Sequence, residues 1–244
     1  MSLQIDSSAA AFAALVLFGA YIVRGIAGFG SALIAIPLLT QVLPLTVVVP
    51  LVVLLDGLGS VSQGLKNRAH VEWPELLPLL PFTIIGVLIA LFLLKSLDPV
   101  LLSRILGGGV LCYGAYQLLP LPTLRVTRLS ALPYGTLGGL IGTMFGTGGP
   151  FYIMYLGMRG LDKVTMRASF ATWFIIDSSM RLTGYATFGI LDADTLLKAG
   201  MSLPFAALGL YIGGRIHTNI SQDTFRRVIS TLLLFSGGAL MLKY

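Results

Sequence analysis

Two glycine clusters interrupt the apolar sequence of this chain, and they read Gly25-Ile26-Ala27-Gly28-Phe29-Gly30-Ser31 and Gly142-Thr143-Met144-Phe145-Gly146-Thr147-Gly148-Gly149-Pro150. Glycines within apolar segments break helices, and a broken helix in a membrane is tolerated only where the freed backbone meets protein, water or substrate. Matching breaks in the two halves of a membrane protein indicate a transport site. The two clusters therefore favour a membrane transport protein.

The composition of the chain supports a membrane location. Of its 244 residues, 56% are hydrophobic and only 11% are charged, and the mean hydropathy is +0.90. Soluble domains carry about 25% charged residues. A soluble domain of this size could not bury so much apolar surface, so we expect an all-α integral membrane protein. The net charge of +6 comes from scattered basic residues, and binding of nucleic acid is not expected.

The apolar segments follow the same order in each half of the chain. A membrane-spanning helix needs about 20 apolar residues. Each half opens with a glycine-broken pair whose second member is too short for a comfortable span, which predicts re-entrant or half helices. The pairs cover 9–29 with 31–43, and 131–145 with 148–158. The three spans that follow each pair cover 45–64, 75–94 and 100–119, then 168–188, 199–215 and 228–243.

The two halves also align at single positions. Gly30 precedes Asp56 by 26 positions, and Gly148 precedes Asp177 by 29. Further equivalent positions are Pro81 with Pro204, and Gly86 with Gly209. This correspondence indicates that one unit of sequence has been duplicated.

The duplication predicts a first membrane repeat at 1–119, a cytoplasmic linker at 120–130 and a second membrane repeat at 131–244. Short cytoplasmic loops collect lysine and arginine. If the basic groups at 66–68, 125–128, 159–167 and 215–227 lie inside, the repeats run in opposite directions and both termini are periplasmic. Inverted-topology repeats of this kind support alternating access. The alternative, a parallel repeat, would leave one of the basic groups outside.

Each glycine break is a candidate anion site. Backbone N–H groups at the start of a half helix, together with the helix dipole, can bind an anion. Pro150 suits a first helical turn, where its missing N–H is not needed. The alternative is that the glycines only permit close helix packing, but two matching clusters favour binding. The candidate substrate-binding residues are Gly28, Phe29, Gly30 and Ser31 at the first break, and Gly146, Thr147, Gly148 and Gly149 at the second.

Four ionisable residues fall within the apolar segments: Arg24, Asp56, Asp177 and Arg181. A charge at the bilayer centre costs about 2.5–3.5 kcal/mol, so such residues face a cavity or a partner. The spacing of Asp177 and Arg181 permits an ion pair, and Arg181 either neutralises Asp177 or contacts the substrate. The equivalent residues Asp56 and Asp177 are either proton carriers or acceptors that hold the glycine turns. Arg24 either complements an anion or snorkels to the headgroups.

At these glycine turns the chain resembles the sulfite exporter TauE/SafE family, also called the 4-toluene sulfonate uptake permease family. The resemblance spans nearly the whole length, with two halves that each open on a glycine-rich break and a short basic linker between them. The first break, Gly28-Phe29-Gly30-Ser31, has one glycine fewer than the common run of the family. The resemblance implies a secondary transporter of the bacterial cytoplasmic (inner) membrane that exports sulfite, an organosulfonate or a related small anion, coupled to protons.

Several alternatives remain open at this point. The chain could be a passive anion channel or an uptake permease for another small organic anion. An intramembrane serine protease would need an activated serine and a histidine at membrane depth, whereas His70 and His217 fall in predicted loops, so no enzyme is expected. We expect no cofactor and no metal ion. The expected partners are a small anionic substrate and membrane lipids, and a homo-oligomer is compatible with the sequence.

Overall fold

The computed structural model describes residues 7–28, 30–64, 68–118, 125–216 and 222–243. Within these ranges the chain forms eleven α-helices and two short 3₁₀ turns, and it contains no β-strand. The predicted all-α class is confirmed for this part of the chain. Two residues singled out above, Phe29 and His217, lie outside the described residues.

The helices follow the predicted order of segments. Those of the first half are α1 (Ser7–Ala27), α2 (Ser31–Leu39), α3 (Leu45–Gly64), α4 (Trp73–Leu76), α5 (Leu79–Ser96) and α6 (Pro99–Leu118). Those of the second half are α7 (Ala131–Phe145), α8 (Gly149–Met158), α9 (Lys163–Thr187), α10 (Ala193–Arg215) and α11 (Gln222–Lys243). Both glycine clusters therefore separate one helix from a shorter one.

Three described stretches are long and apolar enough to cross a membrane, judged by length and composition. They are Ser7–Ile26 in α1, Trp73–Ser96 across α4 and α5, and Ala193–Arg215 in α10. Shorter apolar stretches occupy Leu45–Val61 and Leu233–Lys243. The spans predicted at 100–119 and 168–188 form α6 and α9, which are long but carry charged residues and glycines that lower their hydropathy. These helices are consistent with an integral membrane protein.

Three helices of the second half, α9, α10 and α11, begin earlier than their apolar pattern predicts. Helix α9 begins at Lys163, because the Asp162 carboxylate accepts hydrogen bonds from the backbone amides of Val164 and Thr165, at 2.9 Å and 3.2 Å. Hydrogen bonds lower the pKa of the Asp162 carboxyl below its usual range, and the hydrogen bond from the Thr165 side chain has the largest effect. Helix α10 begins at Ala193, with Asp194 in its first turn near the positive end of the helix dipole. Polar first turns of this kind fall outside an apolar window.

The helices group into two compact units, and each unit draws helices from both halves of the chain. The first unit comprises Met1–Val52, Leu97–Leu121 and Ala193–Tyr244. Within it α1 packs against α2 and α10, and α6 packs against α11. The second unit comprises Val53–Ser96 and Pro122–Asp192. Within it α7 packs against α5 and α8, and α9 packs against α5 and α8. The boundaries and the inverted orientation of the two repeats stay a prediction.

Equivalent glycines make equivalent helix contacts in the two units. In the second unit, a Cβ added at Gly86 of α5 would overlap the carbonyl oxygen of Thr136 in α7. In the first unit, a Cβ added at Gly209 of α10 would lie 2.5 Å from the carbonyl oxygen of Phe18 in α1. Small residues let membrane helices approach this closely. The alignment of Gly86 with Gly209 therefore corresponds to two similar helix pairs.

Candidate functional site

The second glycine cluster joins α7 to α8 through a tight, buried turn. Helix α7 ends at Phe145, and the following Gly146 has a φ of 67°, in the left-handed region that favours glycine. Its N–H donates a hydrogen bond of 2.8 Å to the carbonyl of Gly142. Helix α8 begins at Gly149 with Pro150 in its first turn, as predicted. Residues 142–150 are all buried, so the start of α8 lies inside the protein.

Arg181 of α9 reaches this glycine turn. A Cβ added at Gly142 would overlap the guanidinium group of Arg181, and one added at Gly148 would lie 2.8 Å from its Nη2 atom. The absence of side chains at positions 142 and 148 therefore leaves the volume that the guanidinium fills. Arg181 is 0% exposed, and its charge lies entirely within the protein. The structure thus brings the second glycine cluster and Arg181, two separate candidates in the sequence, into one place.

Asp177 is the counter-ion of Arg181, as their spacing on one helix predicted. Arg181 Nε donates a hydrogen bond of 3.2 Å to Asp177 Oδ1, and Arg181 Nη2 forms an ion pair with Asp177 Oδ2. The hydroxyl group of Tyr152, in α8, donates a further hydrogen bond of 3.0 Å to Asp177 Oδ1. Asp177 is also 0% exposed, so the pair is neutral overall and shielded from solvent.

The guanidinium of Arg181 keeps unused donors at the glycine turn. Within the part of the chain that the structure describes, Nη1 of Arg181 has no hydrogen-bond acceptor, whereas Nη2 is paired with Asp177 Oδ2. A guanidinium carries five N–H donors, and a buried donor without an acceptor costs about 1–3 kcal/mol. The ring centroid of Phe174 lies 5.9 Å from the Arg181 Cζ atom, which adds a cation–π contact but no acceptor. The unused donors can therefore bind an oxyanion.

The first glycine break has a buried arginine as well. Gly28 and Gly30 have φ values of 86° and 99°, and Gly30 precedes α2 directly. Arg24, in the last turn of α1, is only 3% exposed, and its Nη1 donates a hydrogen bond of 3.4 Å to the Ser31 hydroxyl. Its guanidinium also lies 5.8 Å from the ring centroid of Tyr21. Arg24 therefore lies beside the break, and this position favours the anion interpretation over snorkelling.

Helix α2 is held firmly within the first unit. Its side chains are buried from Ser31 to Leu39 with the exception of Leu38. Just beyond its C-terminal end, Lys243 Nζ donates hydrogen bonds to the carbonyl oxygens of Thr40 and Gln41, at 3.1 Å and 2.7 Å. A cation is favourable there, because the C-terminal end of a helix is its negative pole.

Two further predicted residues are buried in the second unit. Asp56 of α3 is 2% exposed and Thr147 is 8% exposed. Gly57, the neighbour of Asp56, lies against Ser178, the neighbour of Asp177, since a Cβ added at Gly57 would lie 3.3 Å from the Ser178 Cβ. Asp56 and Asp177 are therefore the sequence neighbours of two residues, Gly57 and Ser178, that contact each other. A proton-carrying role for either aspartate stays a prediction.

The structure also contains a second charged cluster, which was not predicted from the sequence. Glu75 of α4 is 5% exposed and accepts hydrogen bonds from Arg159, at 2.7 Å and 3.1 Å, and from Arg128, at 3.2 Å and 3.1 Å. Tyr155 donates a further bond of 3.3 Å to Glu75, and Arg159 Nη1 also donates to the Val126 carbonyl. The cluster ties the end of α8 to the start of α4.

The signals for the missed residues differ. In the sequence, Arg128 and Arg159 serve only as markers of the cytoplasmic side, and no pattern distinguishes Glu75. A carboxylate at the start of an apolar span needs a cationic partner, and this requirement could have pointed to Glu75. Tyr152, which contacts Asp177, carries no comparable signal, because a tyrosine in an apolar helix is usual.

Comparison with known proteins identifies the family. Residues 12–240 match the family described as Sulfite exporter TauE/SafE. Over 229 residues, 89% of this chain and 88% of the relative, the chain is 28% identical to a protein of Cupriavidus necator described as "Probable sulfite/organosulfonate exporter TauE". Over 195 residues, 77% of this chain and 80% of the relative, it is 29% identical to a protein of Comamonas testosteroni described as "Probable inner membrane transporter protein TsaS". No solved structure matches the chain. The chain therefore belongs to the sulfite exporter TauE/SafE family, and it is a membrane transporter rather than an enzyme.

Proposed function

We propose that this protein is a secondary transporter that exports a small sulfur-containing anion, sulfite or an organosulfonate, across the bacterial cytoplasmic membrane. The class of anion is supported by the description of the Cupriavidus necator relative as a sulfite/organosulfonate exporter. The location in the cytoplasmic membrane is supported by the description of the Comamonas testosteroni relative as an inner membrane transporter. Outward transport and coupling to protons are part of the same proposal.

The observation that carries the proposal is the buried guanidinium of Arg181 at the second glycine turn. Its Nη1 atom has no hydrogen-bond acceptor among the described residues, and Gly148 and Gly149 lead directly into α8 beside it. Sulfite and sulfonates present several oxygens on one sulfur atom, and a guanidinium binds such oxyanions through two parallel hydrogen bonds. Gly148 and Gly149, which follow Gly146 and Thr147, place backbone amides at the start of α8, a position that suits a negative charge.

The first break offers a second set of donors in its own unit. Arg24 is buried and donates a hydrogen bond to the hydroxyl of Ser31, the first residue of α2. The positive φ values of Gly28 and Gly30 direct the chain into this helix start. We propose that this break also contacts the anion during the transport cycle, with Asp56 and Asp177 as the groups that carry protons.

The inverted repeat and the periplasmic termini belong to the proposal. The distribution of basic residues supports them, since cytoplasmic loops collect lysine and arginine. The similar contacts of Gly86 and Gly209 support the duplication itself. A fusion of alkaline phosphatase to the C-terminus is active only in the periplasm, so an inactive fusion on a functional transporter would contradict this topology.

Transport by the purified protein tests the proposal. Proteoliposomes loaded with sulfite are expected to release it faster than protein-free liposomes, and the Arg181→Gln variant is expected to lose at least about ten-fold in rate, because a hydrogen bond to a charged group contributes about 1.5–3 kcal/mol. The matched control is Arg167→Gln, which removes an exposed arginine from the same helix and should leave the rate unchanged. Equal rates for both variants would contradict the role of Arg181. Absence of sulfite and methanesulfonate transport by the wild type would contradict the function.

A further inference from the structure

The ion pair between Arg181 and Asp177 limits what can bind at the second glycine turn. Both side chains are 0% exposed, and together they carry no net charge. If an anion approached the guanidinium while Asp177 kept its charge, two negative groups would share one buried positive group. A net buried charge of this kind is strongly unfavourable, because the low-dielectric interior does not replace the lost hydration. The anion and the Asp177 carboxylate are therefore competitors.

The anion and Asp177 would compete for the Nη2 atom of Arg181. Asp177 engages Nε and Nη2 of Arg181, whereas Nη1 has no hydrogen-bond acceptor among the described residues. Nη2 is also the guanidinium atom next to Gly148, at the start of α8. An oxyanion that binds Nη1 and Nη2 at the turn would thus take over the side of the guanidinium that now faces Asp177 Oδ2.

We propose that Asp177 and the transported anion alternate as the counter-ion of Arg181, and that Asp177 takes up one proton whenever the anion is bound. This inference rests on the proposed function. The charges balance in both states: Arg181⁺ with Asp177⁻ and no anion, or Arg181⁺ with the anion and a neutral Asp177 carboxylic acid. One proton is bound for each anion bound, so anion binding and protonation of Asp177 are coupled one to one. The competition supplies a physical reason for coupling that needs no second site.

Tyr152 acts as a positioning residue in this scheme. Its hydroxyl donates a hydrogen bond of 3.0 Å to Asp177 Oδ1, and it belongs to the first turns of α8, directly after the glycine turn. A neutral carboxylic acid can still accept this hydrogen bond through its carbonyl oxygen. Tyr152 therefore holds the carboxyl group in place in both states and links it to the start of α8.

Among the described residues, Arg181 of α9 and Tyr152 of α8 contact Asp177 directly. Tyr185 of α9 interacts with Asp177 electrostatically, while its hydroxyl donates a hydrogen bond to the Thr143 carbonyl. Asp56 of α3 lies next to Gly57, which contacts Ser178. Other titratable groups on elements packed against α9 are engaged or exposed elsewhere: His70 is exposed, Glu75 binds Arg159, and Lys95 lies over the ring of Phe188.

The test is the pH dependence of methanesulfonate binding to the purified full-length protein, measured by isothermal titration calorimetry in detergent. Methanesulfonate keeps a constant charge near neutral pH, so any pH dependence belongs to the protein. For the wild type we expect the affinity to fall about ten-fold for each pH unit between pH 6 and 8, as linkage requires when one proton is taken up per anion. For Asp177→Asn we expect tight binding that does not change with pH. The control Asp162→Asn, at an exposed aspartate that caps the same helix, should keep the wild-type slope.

The outcomes separate this inference from the proposed function. If the wild type binds neither methanesulfonate nor sulfite, the proposed function is overturned. If the wild type binds with the same affinity from pH 6 to 8, or Asp177→Asn keeps the slope, only the alternation between anion and carboxylate is overturned. Should Asp177→Asn fail to fold, wild-type titrations in buffers of different ionisation enthalpy decide the matter. One proton taken up per anion supports the proposal, and no uptake overturns it.

Discussion

Gly142 lies against the guanidinium group of Arg181, so closely that a Cβ at position 142 would overlap it. This contact gives the second glycine cluster a role beyond breaking a helix. Gly146 supplies the left-handed turn, whereas Gly142 and Gly148 supply the space for a buried cation. The two roles are physically different, and substitutions separate them.

Replacing Gly142 by alanine should displace the Arg181 guanidinium. The added methyl group has no room, and overpacking of this kind costs about 1–3 kcal/mol. We expect a lower midpoint of thermal unfolding in detergent and weaker binding of sulfite. The control is Gly157→Ala in α8, where a Cβ would meet nothing within 4 Å. A Gly142→Ala variant as stable and as active as this control would show that the guanidinium does not occupy that space.

Glu75 should contribute more to stability than either of its arginine partners alone. Its side chain is 7% exposed, whereas the side chains of Arg159 and Arg128 are 21% and 56% exposed. We expect Glu75→Gln to lower the free energy of unfolding by about 1.5–3 kcal/mol, since charge-assisted hydrogen bonds are lost at both arginines. For the exposed Arg128, the change to Gln should cost less than about 1 kcal/mol. Thermal unfolding of both variants in the same detergent measures the difference, and the reverse order would contradict it.

The equivalent glycines Gly86 and Gly209 should be equally intolerant of a side chain. Alanine at either position would press against a backbone carbonyl of the neighbouring helix, in α7 or in α1. Each variant is expected to lose about 1–3 kcal/mol of stability. At Gly200 of α10 a Cβ meets nothing within 4 Å, so Gly200→Ala should be neutral or slightly stabilising. If only one of the first two variants is destabilised, the two helix pairs are not equivalent.

Much of the local structure could be predicted from the sequence. The breaks at both glycine clusters, the first-turn position of Pro150 and the ion pair of Asp177 with Arg181 depend on neighbouring positions along the chain. Such local features follow from backbone sterics and from the 3.6-residue period of a helix. The early start of α9 was missed because its first turn depends on the Asp162 cap rather than on apolar residues.

The choice of packing partners could not be predicted. Nothing in the apolar pattern says that α5 packs against α7 rather than against α6, because lipid and protein are equally apolar surroundings for a membrane helix. The link from Arg181 to Gly142 is hidden for the same reason, since it joins residues of two different helices. Glu75 with Arg128 and Arg159 likewise joins three separate segments, and its partners become apparent only in the folded chain.

The order of the helices along the chain has a consequence for synthesis. Helix α1 is synthesised before its packing partner α10, and α6 is synthesised before its packing partner α11. These earlier helices are therefore inserted into the lipid before their partners exist. Until α10 and α11 are inserted, the earlier helices are open to quality-control proteases and to non-native partners. A nascent chain that ends before α10 would leave α1 and α6 without α10 and α11, the helices against which they pack.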